Sequence, residues 1–234
     1  MEKNKVENEQ AEKFFWADKV AEDIIRDRGK KTTYVCASGV TPSGIVHFGN
    51  FREVITTELV VRALKDKGKK VRFIYSWDDY DRFRKVPLNL PNGNEYQKFL
   101  GMPLSEIPSP FGEGKSYPEY FEGEAEKSLK LLGIEPKFIR QSLMNKKCEY
   151  AELIRHAFDK IEDIKKILNK YRKEPLEDGW MPVEVYSRKT GKDDTKILKV
   201  DGYKITYEDS TGFRETIDYQ NVGNVKMKWR VDWP

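Results

Sequence analysis

A histidine, an asparagine and two glycines crowd one decapeptide, Thr41-Pro42-Ser43-Gly44-Ile45-Val46-His47-Phe48-Gly49-Asn50. Pro42, Gly44 and Gly49 punctuate a turn that follows a short apolar run at 33–38. His47 and Asn50 place hydrogen-bonding groups where an amphipathic pattern begins. A strand, a tight turn and a helix start make an anion site, because unpaired backbone N–H groups and the positive helix end both favour phosphate. The plain alternative is a strand-to-helix loop whose His47 only caps the helix. The spacing is neither GxxxxGK[ST] nor GxGxxG, which weakens the P-loop and dinucleotide readings. A His followed two residues later by Gly suits another arrangement. The imidazole contacts phosphate oxygens, and Gly49 lets a nucleotide approach the backbone.

Two further clusters carry functional side chains. Trp77-Asp78-Asp79-Tyr80-Asp81-Arg82-Phe83-Arg84-Lys85 follows the second apolar run, and ligands of open parallel sheets bind beyond the carboxyl ends of strands. Its carboxylates could meet a cationic substrate, hold a divalent metal or pair with Arg82, Arg84 and Lys85. Local pairing is the better reading for Asp81. A substrate role is the better one for Asp78 or Asp79. The segment Trp229-Arg230-Val231-Asp232-Trp233-Pro234 is either an edge strand leaving a core or part of a site. A stretch rich in Lys and Arg at 147–173 is diluted by Glu152, Asp159, Glu162 and Asp163, so it reads as a salt-bridged, solvated helix face, and His156 on it as a packing or surface residue.

These residues need a scaffold, and the periodicities supply one. Helices are predicted at 14–28, ending at Gly29, and at 51–67, ending at Gly68. Strands are predicted at 33–38 and 71–77, which makes a βαβ unit with parallel strands and a right-handed crossover. Residues 87–118, with six prolines and four glycines, form a long aperiodic insertion, and such loops tend to be functional. A helix at 120–132, a short strand at 137–141 and a long helix at 149–171 follow. Short β pieces separated by Gly turns fill 183–217. The expected fold is α/β, a Rossmann-like parallel sheet with an inserted, smaller β-rich subdomain. Its parts are 1–174 with the insertion at 87–118, then 175–228 as the subdomain, then 229–234 returning to the main domain.

Composition bounds the function classes. With 234 residues the chain buries a sizeable core. Its 43 basic and 39 acidic residues leave a net charge of +4, which permits a polyanionic partner without arguing for one. The two cysteines, Cys36 and Cys148, form no CxxC pair, so reduced thiols are expected. No run is long and apolar enough to span a membrane, and the polar first thirteen residues offer no secretory signal, so a cytoplasmic location is expected.

Taken together, the chain resembles the catalytic domain of class I lysyl-tRNA synthetases. The resemblance runs from about residue 14 to 234. It rests on A-S-G-V-T-P-S-G-I-V-H-F-G-N at 37–50, W-D-D-Y-D-R-F-R-K-V-P at 77–87, G-M-P-L at 101–104, K-S-Y at 115–117 and W-R-V-D-W-P at 229–234. It implies a HIGH-type nucleotidyl-transferring fold that binds ATP and lysine, forms lysyl-adenylate and passes lysine to tRNA(Lys). His47, Phe48, Gly49 and Asn50 stand where that class has its HIGH element. By this carry-over His47 and Asn50 are catalytic, and Thr41, Pro42, Ser43, Gly44 and Gly49 join them in binding ATP, with Mg2+ accompanying the nucleotide. Gly39, Thr41 and Trp229 match the lysine pocket, and Trp77, Asp78 and Asp79 are added to it as candidates on physical grounds.

Two departures from the family pattern stand out. Archaeal relatives carry zinc ligands in the insertion and in a CxxC…CxxC ribbon. The corresponding positions here read Ser109, Glu113, Gly114, Tyr120, Ser187 and Thr190, so no structural zinc is expected. The KMSKS-type lysine loop and the anticodon-binding domain are also unmatched, since Val225-Lys226-Met227-Lys228-Trp229 does not supply the loop. The expectation is an N-terminal portion of a longer enzyme that binds its ligands but forms adenylate poorly alone. The alternatives are an inactive nucleotide- or RNA-binding paralogue of the same fold and a synthetase for another amino acid.

Overall fold

The computed structural model describes residues 15–88, 90–112 and 114–232; the polar start read at 1–12, Phe14, Glu113, Trp233 and Pro234 lie outside them. Helix α1 (Trp16–Arg28) ends at Gly29, which takes a positive φ. Strand β1 (Tyr34–Val40), helix α2 (Phe48–Asp66) and strand β2 (Val71–Trp77) form the expected βαβ unit. The two strands pair parallel, Gly39 opposite Ser76 and Val40 opposite Trp77. Strand β3 (Lys137–Arg140) joins the other edge of β2, also parallel, giving the order β1-β2-β3. The three strands end along one edge of the sheet, and the chain segments that follow them carry the motifs.

Helix α2 is buried on two sides. Val54 and Val61 pack with Phe73, Tyr75 and Trp77 of the sheet and with Ala125 and Leu129 of α4 (Tyr117–Leu131). Val60, Ala63 and Leu64 meet Ala17 and Ala21 of α1, whose small side chains let the two helices approach. Each fully buried aromatic or Leu contributes roughly 2 kcal/mol of hydrophobic transfer energy, so the two faces fix α2 firmly. The insertion at 87–118 has a core of its own. A short helix α3 (Gly93–Tyr96) and two single 3-10 turns place Leu90, Tyr96, Leu104 and Ile107 against Phe83, Tyr117 and Phe121.

The second half departs from expectation in three ways. The helix predicted at 149–171 is two helices, α6 (Ala151–Asp159) and α7 (Ile161–Asn169), preceded by an unforeseen α5 (Gln141–Lys146). The break at Lys160 lacks Pro or Gly. Glu162 and Asp163 fall in the first turn of α7, where the positive helix end favours them, while α6 alone turns Ala151, Ile154 and Ala157 into a core. That core also holds Val183 and Val185 of β4 (Val183–Val185) and Ile205, Tyr207 and Ile217 of the antiparallel sheet β5 (Thr195–Asp201), β6 (Lys204–Asp209), β7 (Arg214–Asp218). It therefore runs across position 175. The last strand, β8 (Val225–Met227), pairs antiparallel with β4, and residues 228–232 form a turn rather than an edge strand. Among the described residues, no helix is long and apolar enough to cross a membrane.

Candidate active site

The turn between β1 and α2 is held from both ends. Gly39 is needed where β1 passes β2, since a Cβ there would lie 2.7 Å from the Ser76 carbonyl oxygen. Pro42 is buried, and the Ser43 carbonyl accepts a hydrogen bond from the fully buried Tyr117 hydroxyl at 2.9 Å. Helix α2 starts three residues earlier than its apolar periodicity indicates, because His47 is its N-cap. The His47 Nδ1 accepts the Gly49 N–H at 3.0 Å, and the Asn50 side-chain oxygen accepts the His47 N–H at 3.2 Å, a reciprocal capping box. The plain reading of His47 as a cap is thus realised in the geometry. It coexists with the phosphate reading: with Nδ1 accepting, the neutral ring carries its proton on Nε2, a donor on an exposed side chain. The ring lies against Gly49, where a Cβ would stand 2.8 Å from His47 Cε1.

The acidic cluster divides into three roles. Asp79 is buried, and its carboxylate accepts both the backbone N–H and the hydroxyl of Ser142, so it holds the start of α5. Both its oxygens are taken by Ser142, and its assignment to a substrate is corrected on that ground. Trp77 is corrected likewise. It is wholly buried in the sheet core, stacked on Phe138, with its indole N–H donated to Glu126 at 2.9 Å. Asp78 instead lies beside the end of β1, accepting the Ser76 hydroxyl at 2.9 Å; burial first, and then the neighbouring Asp81 charge, push its carboxyl up to about 6.

Asp81 does not pair with its sequence neighbours. One of its oxygens accepts the Thr41 hydroxyl at 2.7 Å and the other meets the Lys226 ammonium at 3.1 Å. Lys226, almost fully buried, also contacts Asp232 at 2.8 Å. Burial by itself would lower the Lys226 ammonium, but Asp81 and Asp232 outweigh it and hold the group above its ordinary range. Because Thr41 donates its proton to Asp81, its oxygen presents only lone pairs to anything else, which suits a cationic N–H.

A cavity of about 350 Å3 opens here, lined by Thr41, Ser43, Asp81, Leu104, Pro87 and Trp229. Arg84 and Lys85 stand at its rim, both exposed, while the other rim cation, Arg82, is paired with Asp193 at 3.1 Å. Trp229 is half exposed, with the Arg230 guanidinium 4.5 Å over its ring. A larger hollow of about 450 Å3 is enclosed by the 86–97 loop and shares only Pro87 with this cavity. The motif residues therefore mark the smaller one. Sequence reasoning missed Lys226, Ser142 and Tyr117 as parts of the site; the available signal was only that Asp232 and Trp229 share one dense C-terminal cluster.

At the degenerate ribbon, hydrogen bonds link the residues that stand at the family's metal-ligand positions. The Ser187 hydroxyl donates to Asp209 at 2.7 Å and accepts the N–H groups of Lys189 and Thr190. Burial tends to raise the Asp209 carboxyl, but bonds from Thr211, Ser187 and the Phe213 backbone prevail and hold it at about 2. Among the described residues no group of three His, Cys, Asp or Glu side chains has metal-holding geometry. Ser187 and Thr190 are hydroxyls, a donor set that does not fit zinc.

A parallel sheet whose first crossover helix is capped by the histidine of an HxGN turn, with a cavity beyond the strand ends, is consistent with a Rossmann-like α/β fold of the class I synthetase type. The family model described as tRNA synthetases class I (K) matches residues 14–234, and the chain belongs to that family. It is similar to the lysine–tRNA ligase of Pyrococcus horikoshii, 48% identical over 224 residues that make up 94% of this chain and 42% of the relative. It is also similar to those of Borreliella burgdorferi, at 43% over 220 residues (94% and 42%), and Methanocaldococcus jannaschii, at 42% over 222 residues (94% and 41%). The chain spans about two fifths of the length of these curated relatives.

Proposed function

We propose that this chain carries the ATP- and lysine-binding part of a lysine–tRNA ligase. The observation that carries the reading is contiguity. A single turn, 41–50, lines the cavity beside Asp81 at Thr41 and Ser43 and presents the exposed His47 and the N-terminus of α2 at its other end. A ligand with a cationic end and an anionic end fits such a site, and lysine joined to the α-phosphate of ATP is one.

In this reading lysine lies in the cavity, with Trp229 along its aliphatic stem and the Thr41 oxygen and Asp78 receiving ammonium N–H groups. Asp78 is preferred to Asp79, which Ser142 occupies. Gly39 keeps the pocket floor open. The lysine carboxylate attacks the α-phosphorus of ATP, pyrophosphate leaves, and lysyl-adenylate forms. His47 Nε2–H and the N-terminus of α2 stabilise the charge that develops on the phosphate, Asn50 holds His47, and Pro42, Ser43, Gly44 and Gly49 shape the approach of the nucleotide. Mg2+ comes with the ATP phosphates. The lysyl group then passes to the 3′ end of tRNA(Lys), a cytoplasmic task. Residues 1–174 with 229–234 serve as the catalytic domain, and 175–228 as an appended β-rich subdomain.

Calorimetric titration with lysine, arginine and glutamate, each with and without ATP, tests the reading. Lysine is expected to bind in preference to the other two and more tightly beside ATP. Binding of ATP with no response to lysine or to a lysyl-adenylate analogue overturns it in favour of the non-catalytic nucleotide-binding paralogue.

A further inference from the structure

We propose that Lys226 is a positioning residue of the lysine pocket, holding Thr41 and Trp229 in their places through Asp81 and Asp232. The proposal rests on the reading of the Thr41–Trp229 cavity as that pocket. An ammonium group has three N–H donors, and the structure gives this one three acceptors: Asp232 at 2.8 Å, Asp81 at 3.1 Å and the Met227 carbonyl at 3.1 Å. Every donor is used within the protein, so the side chain has none left for a ligand. Its effect must pass through its partners.

One partner controls Trp229. The chain turns sharply over 228–232, with the Val231 and Asp232 N–H groups both donated to the Lys228 carbonyl and Arg230 in the left-handed region at φ 76°. A bulky residue there is strained, so the turn persists only if its ends are held. The Lys226–Asp232 pair joins those ends. Trp229 sits inside the turn and is 57% exposed, so burial does not fix its ring.

The other partner controls Thr41. The Lys226 contact holds the Asp81 side chain so that its second oxygen accepts the Thr41 hydroxyl. The Thr41 hydroxyl must then give its proton to Asp81 and turn its lone pairs outward. Without Lys226 the Asp81 side chain is no longer held from its other side, and Thr41 loses its fixed orientation toward a cation.

The test compares Lys226→Met, which keeps the stem, with Lys226→Arg, which keeps the charge. Each is made also in a Trp229→Phe background, so that difference fluorescence isolates Trp229. In Lys226→Met, lysine affinity is expected to fall about tenfold while ATP affinity stays within about twofold, and acrylamide quenching of Trp229 rises about twofold. Lys226→Arg is expected to recover part of both. Unchanged lysine affinity with unchanged Trp229 quenching overturns the proposal, as does an equal loss of lysine and ATP binding with Trp229 unaltered. A wild-type chain that does not bind lysine defeats the pocket reading alone, and the quenching comparison still decides whether Lys226 holds Trp229. If Lys226→Met does not fold, Asp232→Asn replaces it, since the Lys226–Asp81 contact remains. Unaltered Trp229 quenching in that variant overturns the proposal, and increased quenching with weakened lysine binding supports it.

Discussion

The two ends of the site are built in opposite ways. At the His47 end, His47, Gly49 and Asn50 are exposed or half exposed and held by two short-range hydrogen bonds of a helix cap. At the other end, the buried Lys226 ammonium meets two partly exposed carboxylates, and the contacts join two segments far apart in the chain. Water screens the first and can replace any bond it loses. The second has no such substitute, and removing one charge there leaves its partners without compensation. In the proposed reading, the His47 end is therefore free to vary in stability terms and constrained by chemistry, whereas the Lys226 end is constrained by both.

Variants that separate stability from ligand binding sharpen this contrast. Lys226→Met is expected to be the most damaging, with a loss of roughly 3 kcal/mol in urea unfolding, the usual scale for breaking a buried pair. A loss below about 0.5 kcal/mol, as for an exposed pair, erases the distinction between the two ends.

The next test uses a buried carboxylate that is only partly matched. Glu122 of α4 is fully buried, with one oxygen on Arg140 at 2.7 Å and the other unpartnered. Burial first, and then the Asp79 charge, push its carboxyl up to about 7, against the opposing pull of Arg140. Between the unfolded value of about 4.5 and the folded value near 7 the native state holds a proton that the unfolded state has released, so stability falls as pH rises through that window. The drop is about 3 kcal/mol in order of magnitude. In Glu122→Gln this slope should become shallower in chemical unfolding curves taken across the window, the rest coming from Asp78. An unaltered slope assigns it to another group.

The capped end should respond more weakly. His47→Ala removes the cap and is expected to cost about 1 kcal/mol, read from the unfolding midpoint. His47→Asn keeps a capping oxygen and should change stability by less than about 0.5 kcal/mol, yet weaken ATP binding as much as the alanine variant. If the asparagine variant retains full ATP affinity, His47 is a cap and nothing more.

Legibility in the sequence followed the same divide. The strand at Val71–Trp77, the stop of α1 at Gly29 and the turn carrying His47 were readable because a periodicity or a short motif within a few residues dictates each. The division of the helix at Lys160 was not. It depends on which face of α6 meets the β-rich core, and the local sequence there has no breaker. Asp78, Asp79 and Asp81 looked equivalent as neighbours in one motif. Ser142 and Lys226, which set Asp79 and Asp81 apart, reach them from elsewhere in the chain, while Asp78 is held by its near neighbour Ser76.

By itself the sequence determined the class of protein, the α/β alternation and the helix start at His47, since residue type and spacing are enough to form caps, turns and strands. The tertiary structure alone decided that Trp77 is core rather than pocket, that Asp79 serves α5, and that Lys226 joins Asp81 to Asp232. Those outcomes turn on which groups lose water together. Desolvation is a property of the folded assembly, and no local stretch of residues encodes it.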